Sequence, residues 1–125
     1  MILIDSSIWI DHLRSENAVL QVLLNERRVL GHVLVIGELA MGSLRERQDF
    51  LEMLDDLPQA IEADHGEVRL LIERKKLFGL GIGYLDSHLL ASTRLMPGTK
   101  LWTRDRRLHD AALRLGIAFQ SDRPH

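Results

Sequence analysis

Short apolar runs alternate along this chain with longer segments in which apolar residues recur every three or four positions. Apolar runs are typical of buried strands, whereas recurrence at i, i+3 and i+4 is typical of amphipathic helices. The pattern predicts strands at residues 2–5, 29–30, 100–103 and 117–119, with a further candidate strand at 59–62. It predicts helices at residues 6–14, 18–27, 45–57, 64–77 and 84–95 and within the segments 32–44 and 105–116. Strands that alternate with helices indicate an α/β fold whose mainly parallel sheet is covered on both faces.

Two of the predicted helices also indicate which side chains face the core. In the helix at residues 18–27, the apolar stripe consists of Val19, Val22 and Leu23. The last helix has the clearest helical period of the chain. Its apolar side consists of Leu108, Ala111, Ala112 and Leu115. The spacing therefore predicts that both helices pack one face against the sheet.

The composition indicates one globular domain that spans residues 1–125. The chain has a mass of 14.3 kDa and is 46% hydrophobic and 27% charged, which is sufficient for a hydrophobic core. It contains no cysteine, which excludes disulfide frameworks and thiolate zinc sites. No apolar stretch has the length of a signal peptide core or a membrane span, so a cytoplasmic protein is expected.

The net charge of −2 conceals an uneven distribution of charge along the chain. Residues 1–70 hold 13 acidic against 6 basic side chains, whereas residues 71–125 hold 5 acidic against 10 basic ones. An acidic half can bind cations and a basic half can follow a phosphate backbone. The alternative explanation for this uneven distribution is that the charged side chains simply lie on solvated helix faces.

Four carboxylates occupy positions that need an explanation. Asp5 and Asp105 lie at or just after the ends of predicted strands, and ligands bind at the carboxyl ends of parallel strands. Glu38 and Asp86 lie within apolar helical segments, where burying an unpaired carboxylate is costly. Other roles are open for each: Asp5 and Asp105 as helix caps, Glu38 as an arginine partner, and Asp86 as a partly exposed side chain.

Taken together, the four acids favour a site for a hard divalent cation. Carboxylate oxygens suit Mg²⁺ or Mn²⁺, which keep several water ligands in protein sites. Such a cation can polarise a phosphoryl oxygen and lower the pKa of a bound water. The predicted reaction is hydrolysis of a phosphodiester bond.

Several other residues admit a functional role and a structural one. The tryptophans Trp9 and Trp102 lie in apolar company, which favours the core over a rim position where an indole stacks on a base. Surface or rim positions are expected for His12, His88 and His109. The GLGIG segment at residues 79–83 lacks the Lys and Ser/Thr of a phosphate-binding loop and predicts a flexible connection.

Four motifs carry a resemblance to a known family. ILIDSSIWIDHLR, VIGELAMG, GLGIGYLDSHLLAS and LWTRDRRLHDAA follow one another in this order and span nearly the whole chain. Together they resemble a PIN domain of the VapC toxin type. This resemblance implies a PIN-domain-like α/β/α sandwich. It also implies a Mg²⁺- or Mn²⁺-dependent endoribonuclease, the toxin of a bacterial type II toxin–antitoxin pair.

The resemblance assigns roles to individual residues. It implies that Asp5, Glu38, Asp86 and Asp105 are the catalytic, metal-binding acids, Asp105 acting directly or through a water. It gives supporting roles to the hydroxyls of Ser6 and Thr103. The family often has Thr after the first Asp, and Ser6 keeps the hydroxyl.

The resemblance also bears on partners. It implies an RNA substrate, a homodimer and a VapB-like antitoxin whose C-terminal segment covers the site. Because they flank Asp105, we expect Arg104, Arg106 and Arg107 to contact RNA, although a solvated helix face is the competing explanation. A catalytically degenerate PIN fold that binds RNA or protein is the alternative function, and the complete set of four acids argues against it.

Overall fold

The computed structural model describes residues 1–120, which form a three-stranded parallel sheet and seven helices. The strands are β1 (Ile2–Ile4), β2 (Val29–Leu30) and β3 (Lys100–Trp102). The helices are α1 (Ser6–Arg14), α2 (Ala18–Asn25), α3 (Val33–Ala40), α4 (Arg47–Asp56), α5 (His65–Lys75), α6 (Tyr84–Leu95) and α7 (Arg106–Arg114).

The sheet has the order β2-β1-β3, and both pairings are parallel. All residues of β1 and β2 are buried, on both sides of the pleat. Since successive side chains of a strand point to opposite faces, helices must cover both faces of the sheet. The predicted α/β/α arrangement with a parallel sheet is therefore confirmed.

Both outer strand predictions are wrong as strands. In residues 59–62, only Gln59 pairs with the sheet, through a parallel bridge to Gly31. In residues 117–119, only Ala118 does so, through a parallel bridge to Leu101. At the first edge the pairing begins beside Pro58, whose carbonyl accepts from the Gly31 N–H and which has no N–H of its own. The sheet is thus extended at each edge by one residue instead of a strand.

Left-handed residues account for most of the errors in the predicted helix bounds. Within residues 1–120, Arg27, Glu46 and Lys76 are the non-glycine residues with positive φ, at 57°, 49° and 53°. Each lies one or two residues outside a helix that was predicted to include it. Glycine is the usual signal for such a conformation, so nothing in the local sequence indicated these three helix boundaries.

The helix faces largely agree with the predicted stripes. In α7, Leu108, Ala111 and Ala112 are buried. In α2, however, Val22 is 47% exposed and Leu20 is fully buried, so the inward face is rotated from the predicted one. Trp9 and Trp102 are 1% and 0% exposed, which confirms that both indoles belong to the core.

The fold brings the ends of neighbouring strands together. The Asp5 N–H donates to the Trp102 carbonyl over 3.0 Å, so the pairing between β1 and β3 continues to the residue after β1. Residues Asp5 and Thr103 therefore emerge side by side at the carboxyl edge of the sheet.

No helix among residues 1–120 is long and apolar enough to cross a bilayer.

Candidate active site

The Asp5 carboxylate is buried at the end of β1 and is surrounded by hydroxyl groups. Thr103 Oγ1 donates to Asp5 Oδ2 over 2.7 Å and Ser7 Oγ donates to the same oxygen over 2.9 Å. Ser6 Oγ lies 3.5 Å from the other oxygen. Although Asp5 occupies the N-cap position of α1, its side chain accepts no backbone bond there. The helix-cap explanation for this carboxylate is therefore wrong.

Two hydroxyl groups also tie Asp5 to the loop after β3. Ser7 Oγ accepts from the Arg104 N–H, and Thr103 Oγ1 accepts from the Asp105 N–H, both over 3.0 Å. Each hydroxyl thus receives a backbone proton and gives its own to the carboxylate. The sequence interpretation included Thr103 and missed Ser7, whose only signal is its place in the DSS triplet after the first strand.

Glu38 lies on the exposed side of α3, in the turn next to the buried Leu39. It has no arginine partner, since the ion pairs within residues 1–120 are Arg28–Glu26 and Arg104–Asp11. Although the residue is exposed as a whole, partial burial of its carboxyl group raises the pKa of Glu38 above its usual value, and the charges of Asp5 and Asp86 raise it further. A hydrogen bond from Ser6 opposes these effects.

Asp86 lies in the first turn of α6 and is partly buried. Its Oδ2 accepts a hydrogen bond from the Gly83 N–H over 3.0 Å. Burial raises the pKa of Asp86, the bond from Gly83 lowers it, and the charges of Asp5 and Asp105 raise it. Asp86 is therefore electrostatically linked to acids that follow two different strands.

Asp105 is the N-cap of α7, as the capping explanation predicted. Its Oδ1 accepts from the Leu108 N–H over 3.0 Å, while the side chain remains exposed. This bond occupies one carboxylate oxygen. The charge of Asp105 still raises the pKa of Asp86, so the residue faces the same region as the other acids.

We refer to Asp5, Glu38, Asp86 and Asp105 as the acid cluster. The cluster concentrates negative charge at the carboxyl edge of the sheet, and no arginine or lysine neutralises it by an ion pair within residues 1–120. In the same residues, no three acidic or histidine side chains stand close enough to form a metal-binding group. The donor set is nevertheless one of carboxylates and hydroxyls, which is the chemistry that Mg²⁺ or Mn²⁺ with retained waters prefers.

A small cleft opens beside Glu38. It has a volume of about 160 Å³. Its lining combines two polar residues with apolar ones and comprises Ser6, Ile10, Glu38, Leu39, Gly42 and Leu44. The cleft therefore joins the acid cluster to an apolar surface between α1 and α3.

The three arginines that flank Asp105 are all exposed. Arg104 forms an ion pair with Asp11 of α1. Arg107 lies against Gly81, so closely that a Cβ at that glycine would collide with its guanidinium. The φ of Gly81 is +78°, which suits the turn-rich connection predicted for the GLGIG segment. Within residues 1–120, the side chains of Arg106 and Arg107 form no ion pair and no hydrogen bond.

The structure adds a histidine that the sequence interpretation passed over. His32 is 1% exposed and caps α3, because its Nδ1 accepts from the Leu34 N–H over 3.1 Å. Its Nε2 lies 2.9 Å from Ser92 Oγ of α6. In contrast His12, His88 and His109, which were expected at the surface or rim, are partly buried.

Comparison with known proteins identifies the class to which this fold and site belong. The sequence description of the PIN domain matches residues 2–113, so the chain belongs to the PIN-domain family. Over 122 residues the chain is 43% identical to ribonuclease VapC32 of Mycobacterium tuberculosis, with 98% of each chain covered. The same protein from a second strain of that organism matches equally well. Within its family, the chain is therefore a PIN domain of the VapC type.

Proposed function

We propose that this VapC-type toxin is an endoribonuclease that hydrolyses RNA phosphodiester bonds at the acid cluster. The observation that carries the proposal is the burial of the Asp5 carboxylate among three hydroxyls. Partial burial and the charges of neighbouring acids raise the pKa of both Glu38 and Asp86 beside it. An arrangement that costs electrostatic energy and has no internal counter-charge is typical of a functional site. The match to a ribonuclease over nearly the whole chain supports the same activity.

The residues of the acid cluster would hold Mg²⁺ or Mn²⁺, with Asp105 acting directly or through a water. When bound, such a cation polarises a phosphoryl oxygen and lowers the pKa of the attacking water. Thr103 and Ser7 orient the Asp5 carboxylate by donating to its Oδ2. Ser6 lies beside both acids, since its hydroxyl is 3.5 Å from Asp5 Oδ1 and its side chain lines a cleft together with Glu38. Asp105 uses one oxygen to cap α7 and keeps the other for this role.

The partners follow from the family and from the surface charge. RNA is the substrate, with Arg104, Arg106 and Arg107 as the nearest cations to Asp105. We infer a VapB-like antitoxin as the cognate inhibitor, a homodimer as the assembly and the cytoplasm as the location. The chain acts as one PIN domain over residues 1–125.

RNA cleavage by the purified chain tests the assignment of the acid cluster. We expect cleavage with Mg²⁺ or Mn²⁺, none with EDTA, and a loss of more than about 100-fold in Asp5→Asn and Asp86→Asn, since even outer-shell partners of a metal are worth about 10- to 100-fold. Asp55→Asn, an exposed acid of α4, is the matched control and should cleave like the wild type. Equal cleavage by the wild type and both site variants would contradict the assignment. RNA binding without metal-dependent cleavage would instead favour the degenerate, binding-only PIN domain.

A further inference from the structure

Five cations line one cleft where three helices end. Arg74 and Lys75 lie in the last turn of α5, Lys76 is its C-cap, and Arg94 and Arg114 lie in the last turns of α6 and α7. With Leu115, these residues line a cleft of about 360 Å³. We refer to Arg74, Lys75, Lys76, Arg94 and Arg114 as the basic cleft.

The basic cleft lies at the far end of the helices that carry two of the acids. Asp86 is in the first turn of α6 and Arg94 in its last, eight residues later, which is about 12 Å along a helix axis. Asp105 caps α7, and Arg114 follows nine residues later, at about 14 Å. These separations exceed the screening length of about 8 Å at physiological salt. The charges of the cleft are therefore largely screened from the acid cluster.

Stabilisation of helix ends does not account for all of this charge. Cations near a helix C-terminus complement a dipole charge of about −0.5. Three helix ends thus offset about 1.5 of the five positive charges. A surplus of about 3.5 charges is left for an external anion.

The cleft is partly preorganised by its own backbone. The Arg114 guanidinium donates to the Lys75 carbonyl over 2.6 Å and to that of Lys76 over 3.3 Å, which joins α7 to the end of α5. In residues 1–120, none of the other four cations forms an ion pair. Their charges are therefore available to a ligand.

A second cleft of about 440 Å³ continues the first, because Arg74, Lys75 and Arg94 line both. It adds one acid, Glu67, and an apolar floor made by Leu70, Leu71, Ala91 and Leu95. In the combined groove, five cations outnumber the single acid. Charge complementarity of this kind suits a phosphodiester chain.

We propose that the basic cleft binds the phosphate backbone of the RNA substrate at a point remote from the scissile bond. This inference rests on the proposed function and adds to it a preference for RNA that extends or folds past the acid cluster. A short oligonucleotide that covers only the cluster would not reach the cleft. The cleft thus selects RNA by size and shape and leaves the chemical step to the acids.

RNA binding in EDTA tests the proposal without cleavage. Fluorescence anisotropy measures binding of a labelled, unfractionated tRNA pool to the wild type and to the cleft variant, Arg74→Gln/Arg94→Gln. The charge-matched control is Arg27→Gln/Arg69→Gln, whose two arginines are exposed and line neither cleft. We expect the cleft variant to bind at least about tenfold more weakly and to lower the slope of log K against log salt by about 1.4 to 1.8. The control should bind like the wild type. With saturating Mn²⁺, cleavage of the pool should show a raised KM and an unchanged kcat for the cleft variant.

Each other result overturns the proposal. If both double variants lost the same RNA affinity, the loss would come from the change in net charge and not from the cleft. Unchanged RNA binding by the cleft variant would remove the cleft from RNA recognition while leaving the ribonuclease intact. If that variant also lost co-purification with the cognate antitoxin, the cleft would be a protein-docking surface. A wild type that neither binds nor cleaves any RNA would overturn the proposed function as well.

Discussion

At the scale of single residues, Asp5 is held by donors that come from its own helix and from the loop after β3. Three hydroxyls converge on it, and two of them are anchored by backbone N–H groups of Arg104 and Asp105. Hydrogen bonds to a carboxylate are stronger than those between neutral groups. The carboxylate is therefore fixed in orientation before any ligand arrives.

Removing one of these donors should weaken cation binding. In Ser7→Ala, Asp5 Oδ2 loses a donor and the Arg104 N–H loses its acceptor, so we expect Mn²⁺ affinity to fall roughly tenfold, as for other outer-shell partners. The free energy of unfolding should fall by about 1 kcal/mol. Titration calorimetry with Mn²⁺ and thermal melting give the two quantities. Ser7→Thr keeps the hydroxyl and should restore the affinity for Mn²⁺, and Ser15→Ala is the control. If Ser7→Ala bound Mn²⁺ as tightly as the wild type, Ser7 would not position Asp5.

The role of a residue could be predicted from the sequence where its place relative to a strand or helix was itself informative. Asp105 follows a strand and opens a helix, so its cap role was foreseeable, and it is confirmed. Ser7 and His32 could not be found in the same way, because their partners lie 97 and 60 residues away, at Arg104 and Ser92. A hydrogen bond between distant segments leaves no periodic signal in a single sequence.

At the scale of elements, His32 links three parts of the fold. Its Nδ1 accepts from the Leu34 N–H at the start of α3, so its Nε2 carries the proton and donates to Ser92 of α6. Ser92 Oγ in turn accepts from the Ala63 N–H, just before α5. This arrangement requires a neutral imidazole, because a second ring proton would face the Leu34 N–H.

The stability of the protein should therefore depend on pH through His32. Burial lowers the pKa of His32 below its usual 6.5, and nearby Glu62 and His88 act in opposite directions. Below about pH 6.5 the unfolded chain takes up a proton that the folded chain excludes, so the free energy of unfolding decreases as the pH falls. His32→Asn keeps a capping acceptor and has no such proton.

Thermal melting at neutral pH and at about pH 5 measures this dependence. We expect the melting temperature of the wild type to fall more on acidification than that of His32→Asn, with His109→Asn as the control. A smaller loss remains in the variant, because burial also lowers the pKa of His12. Equal losses in the wild type and His32→Asn would exclude His32 as the source.

The sequence pattern predicted elements well where the chain provides local signals. The predicted bounds of α1 and α6 match the structure, and α5 begins just after Asp64, whose side chain caps it. Pairing at the sheet edges depends on contacts between distant residues. For that reason residues 59–62 and 117–119 looked like strands, and the order β2-β1-β3 was not foreseen.

At the scale of the whole molecule, the charge asymmetry of the sequence becomes a spatial separation. The acids gather at the carboxyl edge of the sheet, and the basic cleft lies where α5, α6 and α7 end. The predicted basic second half is thus divided between arginines beside Asp105 and cations about a helix length away. No count along the chain could show this division, since it depends on the direction of each helix.

Cation binding at the acid cluster should stabilise the whole fold. A ligand at 100 times its Kd adds about 2.7 kcal/mol to the free energy of unfolding, which for a chain of this size is roughly 10 °C in Tm. We expect Mn²⁺ to raise the melting temperature of the wild type by this order. Asp86→Asn should lose most of the response and Asp55→Asn should keep it. A shift of equal size in both variants would place the cation elsewhere on the protein.

The cleft beside Glu38 has a consequence for inhibitor design. A cavity of about 150 Å³ can hold a benzene ring, so the 160 Å³ next to Glu38 has room for one aromatic ring. Ile10, Leu39 and Leu44 would contact its faces and edges. A small molecule that joins oxygen donors to a single ring can therefore engage the acids with one end and the apolar wall with the other. The ring would supply the selectivity that a chelating group alone lacks.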